Sequence, residues 1–477
     1  MYSGVFFHLI SKIVFVGSSY AIHFFLGRFL PEEVYGTVGT IITIMNFEYI
    51  FFTDGVRQGM AKAIASGKYE EKSVLRRGFV FQMFLMAFFF LITFFGAGMI
   101  ASALGDETLS PYIRRIAYLL PFTGIYSLML GILNGHQKFL KEAVAGLIYP
   151  ILKLSIIPFV AFVFADPVLG TENGFLFAVV SIALISGIMA YTASGHGGSG
   201  GECISYREYG ASTCGYLLLF GASCIMMNAD TLILKRFAAN AADVGYYTGV
   251  VNFAKIPYYL LTAIYTVALP VITELYARGA LKEARDRIGK LLSLAIAFVF
   301  PGVLVIAAAS QHVLSLFYKP QYAAGGTALT YLVIGITCLG MTLIFSMILS
   351  AADARRTMIV SSVLMVVSEL ILCPILTIRC SLTGTALATL LSTAVGMLLT
   401  GVFTYRVFGR FLTGIHVASL IMICICFAGE FALFQIYAPQ NFIILAALCA
   451  GLYLLQAAVL ATLLKTLPTS IKMRHTT

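Results

Sequence analysis

The chain has 477 residues, is 60% hydrophobic and only 11% charged, and carries a formal net charge of +10 with a mean hydropathy of +0.94. Water-soluble domains of this length carry roughly twice that share of charged residues, about 25%. The basic excess does not form a nucleic-acid patch: it sits at the ends of long apolar runs.

A spanning helix needs about 20 mostly apolar residues. Runs of that kind are predicted near 5–27, 34–54, 78–104, 116–133, 144–165, 175–192, 212–234, 246–272, 291–310, 327–349, 358–378, 385–404, 415–437 and 442–464. Lipid offers no water to unpaired backbone groups, so each run is expected to be helical. The first run lacks a basic flank and a small-residue cleavage site, and is read as a retained span. The nine cysteines are scattered without a C-x-x-C pair, which argues against a disulfide framework or a zinc site. No metal is expected.

Loop charge alternates. Loops after odd-numbered spans carry 7 basic residues, among them Arg28, Arg114, Lys235 and Arg379. Even loops and the C-terminal tail carry 21, including Arg57, Lys62, Lys68, Lys138, Arg278 and Arg355. The positive-inside rule then places both termini and the even loops in the cytoplasm, with the protein multi-pass in the cytoplasmic membrane.

The chain repeats itself at an offset of about 210 residues. Leu26-Gly27-Arg28-Phe29 followed by Glu33-Val34-Tyr35-Gly36 corresponds to Leu234-Lys235-Arg236-Phe237 followed by Asp243-Val244-Gly245-Tyr246. At an offset of 216, Lys153 aligns with Glu369 and Pro158 with Pro374. Six spans separate the copies, so the halves share one orientation. The expected domains are an N-lobe over 1–192, a Gly-rich cytoplasmic linker over 193–211, a C-lobe over 212–408, and two extra spans with a tail over 409–477. The linker run Ser194–Gly201 matches G-x-G-x-x-G, but no strand precedes it, so nucleotide binding is not expected.

Several of these residues carry a family resemblance. Leu26 to Gly36 resembles the first helical hairpin of polysaccharide-type flippases, and Asn228-Ala229-Asp230-Thr231 with Val244-Gly245-Tyr246-Tyr247 resembles their span 7–8 signature. Pro270 and Leu316-Phe317-Tyr318 with Tyr322 fit the same pattern. These proteins belong to the multidrug/oligosaccharidyl-lipid/polysaccharide (MOP) exporter superfamily, and the resemblance covers roughly residues 1–408. It implies a MATE-like all-α membrane fold with two six-helix lobes around a central cavity. It also implies alternating access, with a lipid-linked saccharide as substrate.

Ionisable groups within a span cost a few kcal/mol each, so they mark candidate sites. The basic set is Lys12, Lys153 and Lys255, with Arg28 and Arg57 nearer the ends of spans and Asn46 and Asn252 adding neutral polarity. A lipid-linked sugar carries a phosphate or diphosphate, for which a buried lysine is a natural counter-charge. The bland reading is that each lysine pairs with an acid or snorkels to the interface. The acidic set, Glu48, Asp54, Asp230, Glu369 and Glu430, suits coupling or gating, or neutral hydrogen-bonded carboxyls. Coupling to a proton, a sodium ion or the membrane potential is open at this point, and no cofactor is expected. Lys153 and Glu369 each precede a proline by five residues, and Pro158 and Pro374 are expected kinks. A charge pair there is a candidate latch between lobes. Membrane lipids are expected partners, as are a glycan polymerase or glycosyltransferases; nucleic acid is not. The competing readings are a multidrug/cation antiporter of the same superfamily and a non-transporting scaffold of a glycan synthesis complex. No nucleophile–base set supports an enzyme.

Overall fold

The computed structural model describes residues 2–65, 68–193, 202–352, 354–437, 439 and 441–465. The side chains of Lys12 and Asp54 lie outside the described residues, as do residues 194–201 of the expected linker. The chain forms two compact units, Met1–Thr248 and Gly249–Thr477.

The first unit holds α1 (Tyr2–Phe29), α2 (Glu32–Ala65), α3 (Glu71–Ala103), α4 (Ser110–Ile116), α5 (Leu119–Gly135), α6 (Phe139–Lys153), α7 (Ile156–Pro158), α8 (Pro167–Tyr191), α9 (Tyr206–Phe237) and the start of α10 (Ala241–Ala254). Its central helix is α2, which packs on α5 and on α9. Small residues make those contacts close, as they do where lipid supplies no hydrophobic drive between helices. A Cβ on Gly131 would lie 3.0 Å from the Arg57 carbonyl oxygen, and one on Gly135 would lie 2.7 Å from Ile64. The paired residues rise together, so α2 and α5 run parallel. Against α9 the order reverses: Phe47 meets Cys224, and Gly59 meets Thr213. Alternating crossings require this, since spans 2 and 4 share a direction that span 7 opposes. The first compact unit runs on to Thr248, because α9 and α10 pack onto α2.

The second unit continues with α11 (Ile256–Ala277), α12 (Leu281–Leu294), α13 (Phe300–Ala308), α14 (Ser310–Phe317), α15 (Gly326–Ala351), α16 (Arg355–Phe408), α17 (Gly414–Ile436) and α18 (Phe442–Lys465). The 54 residues of α16 would extend about 80 Å if straight, far beyond a hydrocarbon core of about 30 Å. The run is instead a hairpin. Cys380 and Ser381 leave helical geometry, Ser381 with φ +46°. Met365 meets Gly396, Thr389 donates to Glu369 at 2.9 Å, and the Thr377 and Thr385 hydroxyls pair at 2.9 Å. The paired numbers sum to nearly the same value, the signature of two antiparallel arms, and these are the expected spans 11 and 12. The arms close at Gly384, where a Cβ would lie 2.0 Å from the Leu376 carbonyl oxygen. We therefore expect Gly384→Ala to destabilise the protein by about 1–3 kcal/mol or more through overpacking against backbone, read as a lowered thermal midpoint in detergent.

All regular structure among the described residues is helical, as expected, apart from one isolated bridge between Tyr69 and Glu202. Helices lie at each predicted position. Among the described residues, 8 are long and apolar enough to cross a membrane, or 9 with the bent pair Glu107–Ile116 and Leu119–Gly135 counted as one. The exposed side chains of α3 are themselves apolar, with Phe84 at 67%, Phe95 at 74% and Met99 at 76%, as a lipid-facing surface demands. This is a multi-pass membrane protein.

Candidate functional site

Span 5 shifts its hydrogen-bond pattern near Pro158, and the cause is local. Pro158 has no N–H, so the Leu154 carbonyl loses its i→i+4 partner. It accepts from Ile157 N at 3.1 Å instead, α6 ends at Lys153, and a π-turn over Phe159–Val163 follows α7. The hydrogen-bond pattern thus shifts three to four residues before the proline, while Leu154, Ser155 and Pro158 keep right-handed helical dihedrals and Phe139–Val163 remains one spanning segment. Pro374, by contrast, sits inside helical backbone, and the bend of α16 comes six residues later at Cys380.

Lys153 occupies the end of α6, the 15th of the 25 residues between Phe139 and Val163, and so near mid-depth. Its side chain is buried, 8% exposed. Nζ donates to Ser19 Oγ at 2.8 Å on α1 and lies 5.0 Å and 5.9 Å from the ring centroids of Phe15 and Phe175. Among the described residues no carboxylate lies within ion-pair distance of it. What stabilises the ammonium is weaker: one hydroxyl and two aromatic faces.

Phe175 also lines a small cavity. It has a volume of about 40 Å³ and is lined by Asn46, Glu48, Tyr49, Thr123, Tyr149 and Phe175, among others. Glu48 sits midway along α2 and is buried, 6% exposed. One of its oxygens accepts from the Thr93 hydroxyl on α3; Oε2 is buried without a hydrogen-bond partner among the described residues.

Among the other candidates, Glu430 likewise keeps Oε2 buried without a hydrogen-bond partner among the described residues. Asp230 accepts from Thr231 N at 2.6 Å, Thr231 Oγ1 at 3.2 Å and Tyr247 Oη at 2.8 Å, which ties α9 to α10. Arg57 pairs with the buried Glu142, which also accepts from Asn134 Nδ2 at 2.9 Å. Arg28 is exposed at the end of α1, over the Phe24 ring at 5.0 Å. Asn46 is exposed, while Asn252 and Lys255 are half-buried. Lys255 stands at the break between α10 and α11, just before Pro257. Glu369 is fully buried within the α16 hairpin, and Glu430 of α17 accepts from Gln456 of α18.

Residues that the sequence did not single out complete the picture. Glu142, Thr93, Tyr149 and Phe175 sit among apolar neighbours with no pattern to betray them; only Glu142, an acid at the start of a span, gave a legible signal. Lys235 and Asp106 form a further contact at 2.7 Å between the loops after spans 3 and 7. Burial works to raise the Asp106 carboxyl, but hydrogen bonds from Lys235 and Thr108 outweigh it and hold the group below its ordinary value. A depressed carboxyl contributes stability above its unfolded value and loses it as pH falls through the folded one. The difference in thermal midpoint between wild type and Asp106→Asn is therefore expected at neutral pH and expected to vanish in strong acid.

The fold is one also seen in solved flippase and transporter structures. It matches the lipid II flippase MurJ in an inward closed conformation at 15% identity and a TM-score of 0.68, over 97% of this chain and 99% of that one. It also matches an inward-facing multidrug resistance MATE family transporter at 13% identity and a TM-score of 0.67, over 83% and 94%. A third match is a MOP superfamily transporter from Pyrococcus furiosus, at 13% identity and a TM-score of 0.61, over 86% and 96%. The chain belongs to the polysaccharide biosynthesis protein family, whose model matches residues 25–325. No curated protein matches it in sequence.

Proposed function

We propose that this protein is a flippase, not an enzyme, and that it carries a lipid-linked oligosaccharide or another cell-envelope glycan precursor across the cytoplasmic membrane by alternating access. Lys153 carries the reading. A buried ammonium without a carboxylate costs several kcal/mol, and a fold keeps one when an anion is its partner for part of a cycle. A phosphate or diphosphate at the lipid–sugar junction supplies the anion. In this scheme the fourteen spans leave both termini and the even loops in the cytoplasm. The glycan polymerase or glycosyltransferases that make and consume the substrate are then candidate partners.

The test is leaflet accessibility in proteoliposomes loaded with fluorescent undecaprenyl-diphosphate-linked saccharides. Faster equilibration than in protein-free vesicles is the expected result. No protein-dependent movement across several glycans, together with ion-driven efflux of cationic dyes, overturns the reading in favour of an antiporter.

A further inference from the structure

We propose that residues 202–209 form a strap that fastens the base of α9 to the start of α3, and that this strap must let go for α9 to part from α2 at that end. The inference rests on the alternating-access reading for the need to open. In the topology proposed above, this end faces the cytoplasm.

Backbone and side chains both hold the strap. Glu202 pairs with Tyr69 in a parallel bridge: Glu202 N donates to the Lys68 carbonyl at 3.2 Å, and Glu70 N donates to the Glu202 carbonyl at 3.0 Å. Two side chains at the start of α3 take Ile204: its N–H donates to Ser73 Oγ at 3.3 Å, and Arg77 Nε donates to its carbonyl at 3.1 Å. The Arg77 guanidinium also lies 4.0 Å from the centroid of the Tyr206 ring. Ile204 is 3% exposed and Tyr209 2%. Both enter an apolar cluster with Val56 and Met60 of α2, Val74 of α3 and Leu133 of α5.

Two features make this a fastener that can release. The first is its weak rim. An isolated bridge is far short of the three strands that a sheet needs to stand alone. Lys68 reaches Glu202 at 4.0 Å and Glu208 at 3.7 Å, with all three side chains about half exposed or more, and such pairs contribute little. Release therefore turns on Ile204, Tyr209 and Arg77. The second feature is the absence of slack. Ser205 is the N-cap of α9 and accepts from Glu208 N at 3.1 Å, so the helix begins inside the strap. About two turns further on, α9 meets α2 with no side chain between them: a Cβ on Gly59 would lie 2.4 Å from Thr213 Oγ1, and Thr213 is fully buried. A docked strap holds this seam shut, and a strap that leaves α3 takes the base of α9 with it.

The experiment uses the full-length protein in lipid nanodiscs. Cys203 Sγ lies 3.3 Å from Glu70 Oε2. Glu70→Cys places a second thiol beside it, and oxidation with copper phenanthroline locks the strap as a disulfide that dithiothreitol reopens. Thr213→Cys in the same chain reports the seam through labelling by a charged maleimide, located by peptide mass spectrometry. Reduced protein is expected to label slowly, and oxidation to lower the rate about ten-fold or more, as a cross-link of ordinary strength would. Arg77→Met removes a charge-assisted hydrogen bond and is expected to raise the rate about ten-fold. The reduced form is the folding control for the lock, and Cys203→Ser is expected to abolish the effect of oxidation. In proteoliposomes, leaflet exchange of the undecaprenyl-diphosphate-linked saccharides is expected to stop on oxidation and resume with dithiothreitol. A labelling rate that ignores the lock overturns the strap, as does a reduced protein that never labels or a disulfide that never forms. Exchange that continues through the lock overturns the need for release and leaves the flippase reading standing. Lock-sensitive labelling with no exchange of any glycan upholds the strap and removes the flippase reading.

Discussion

Replacing Lys153 with methionine is expected to abolish transport while leaving the protein as stable as wild type, or more so. The two halves of that result have one cause. The ammonium is buried with a single hydroxyl hydrogen bond and two aromatic faces, and no carboxylate among the described residues. Methionine fills a similar volume and removes a charge whose desolvation is uncompensated, and such exchanges are often neutral or stabilising by about 1–4 kcal/mol. Losing the contact to a phosphate costs binding, at about 1.5–3 kcal/mol for a charge-assisted hydrogen bond. That is roughly a ten- to hundred-fold weaker affinity for the anion. Leaflet accessibility and thermal midpoint measured on the same preparation decide the matter. A structural lysine gives the opposite pattern, with stability and transport falling together.

Breaking the ion pair at the other end of α2 is expected to do the reverse. Glu142 is 3% exposed and holds both Arg57 and Asn134, which joins α2, α5 and α6. Glu142→Ala leaves the guanidinium in a half-buried site without its carboxylate. Removing one partner of a buried pair costs about 3–5 kcal/mol, and the partial exposure of Arg57 puts this case toward the lower end. The thermal midpoint should drop by several degrees, and the double variant Arg57→Met/Glu142→Leu should recover most of it. Full stability in the single variant shows that Arg57 finds another partner, and would return it to the pool of cations available to substrate.

Lys153 and Arg57 show where sequence reading stops. Both are basic residues in or beside a span, and the sequence offered both as anion ligands. The tertiary structure separates them: Arg57 meets Glu142, 85 positions away, and Lys153 meets no acid among the described residues. Glu48 and Asp230 divide in the same way. Each is an acid inside a core span, but Asp230 is satisfied by Thr231 and Tyr247, whereas Glu48 keeps an oxygen buried without a partner. Pairing at long range has no local pattern, so composition and periodicity cannot report it.

What the sequence determined by itself was the membrane class, the all-helical fold and the positions of the helices. Hydropathy and backbone satisfaction in lipid act within a window of about 20 residues and are legible one segment at a time. The sequence also held the cause of the shifted hydrogen bonds in span 5, since a missing N–H at Pro158 acts only four residues back. Only the tertiary structure decided that the first compact unit runs on to Thr248, because the packing of α9 and α10 on α2 depends on shape between distant segments. It also decided that Phe175, one apolar residue among many in its span, lies 5.9 Å from the Lys153 ammonium and lines the cavity that holds Glu48.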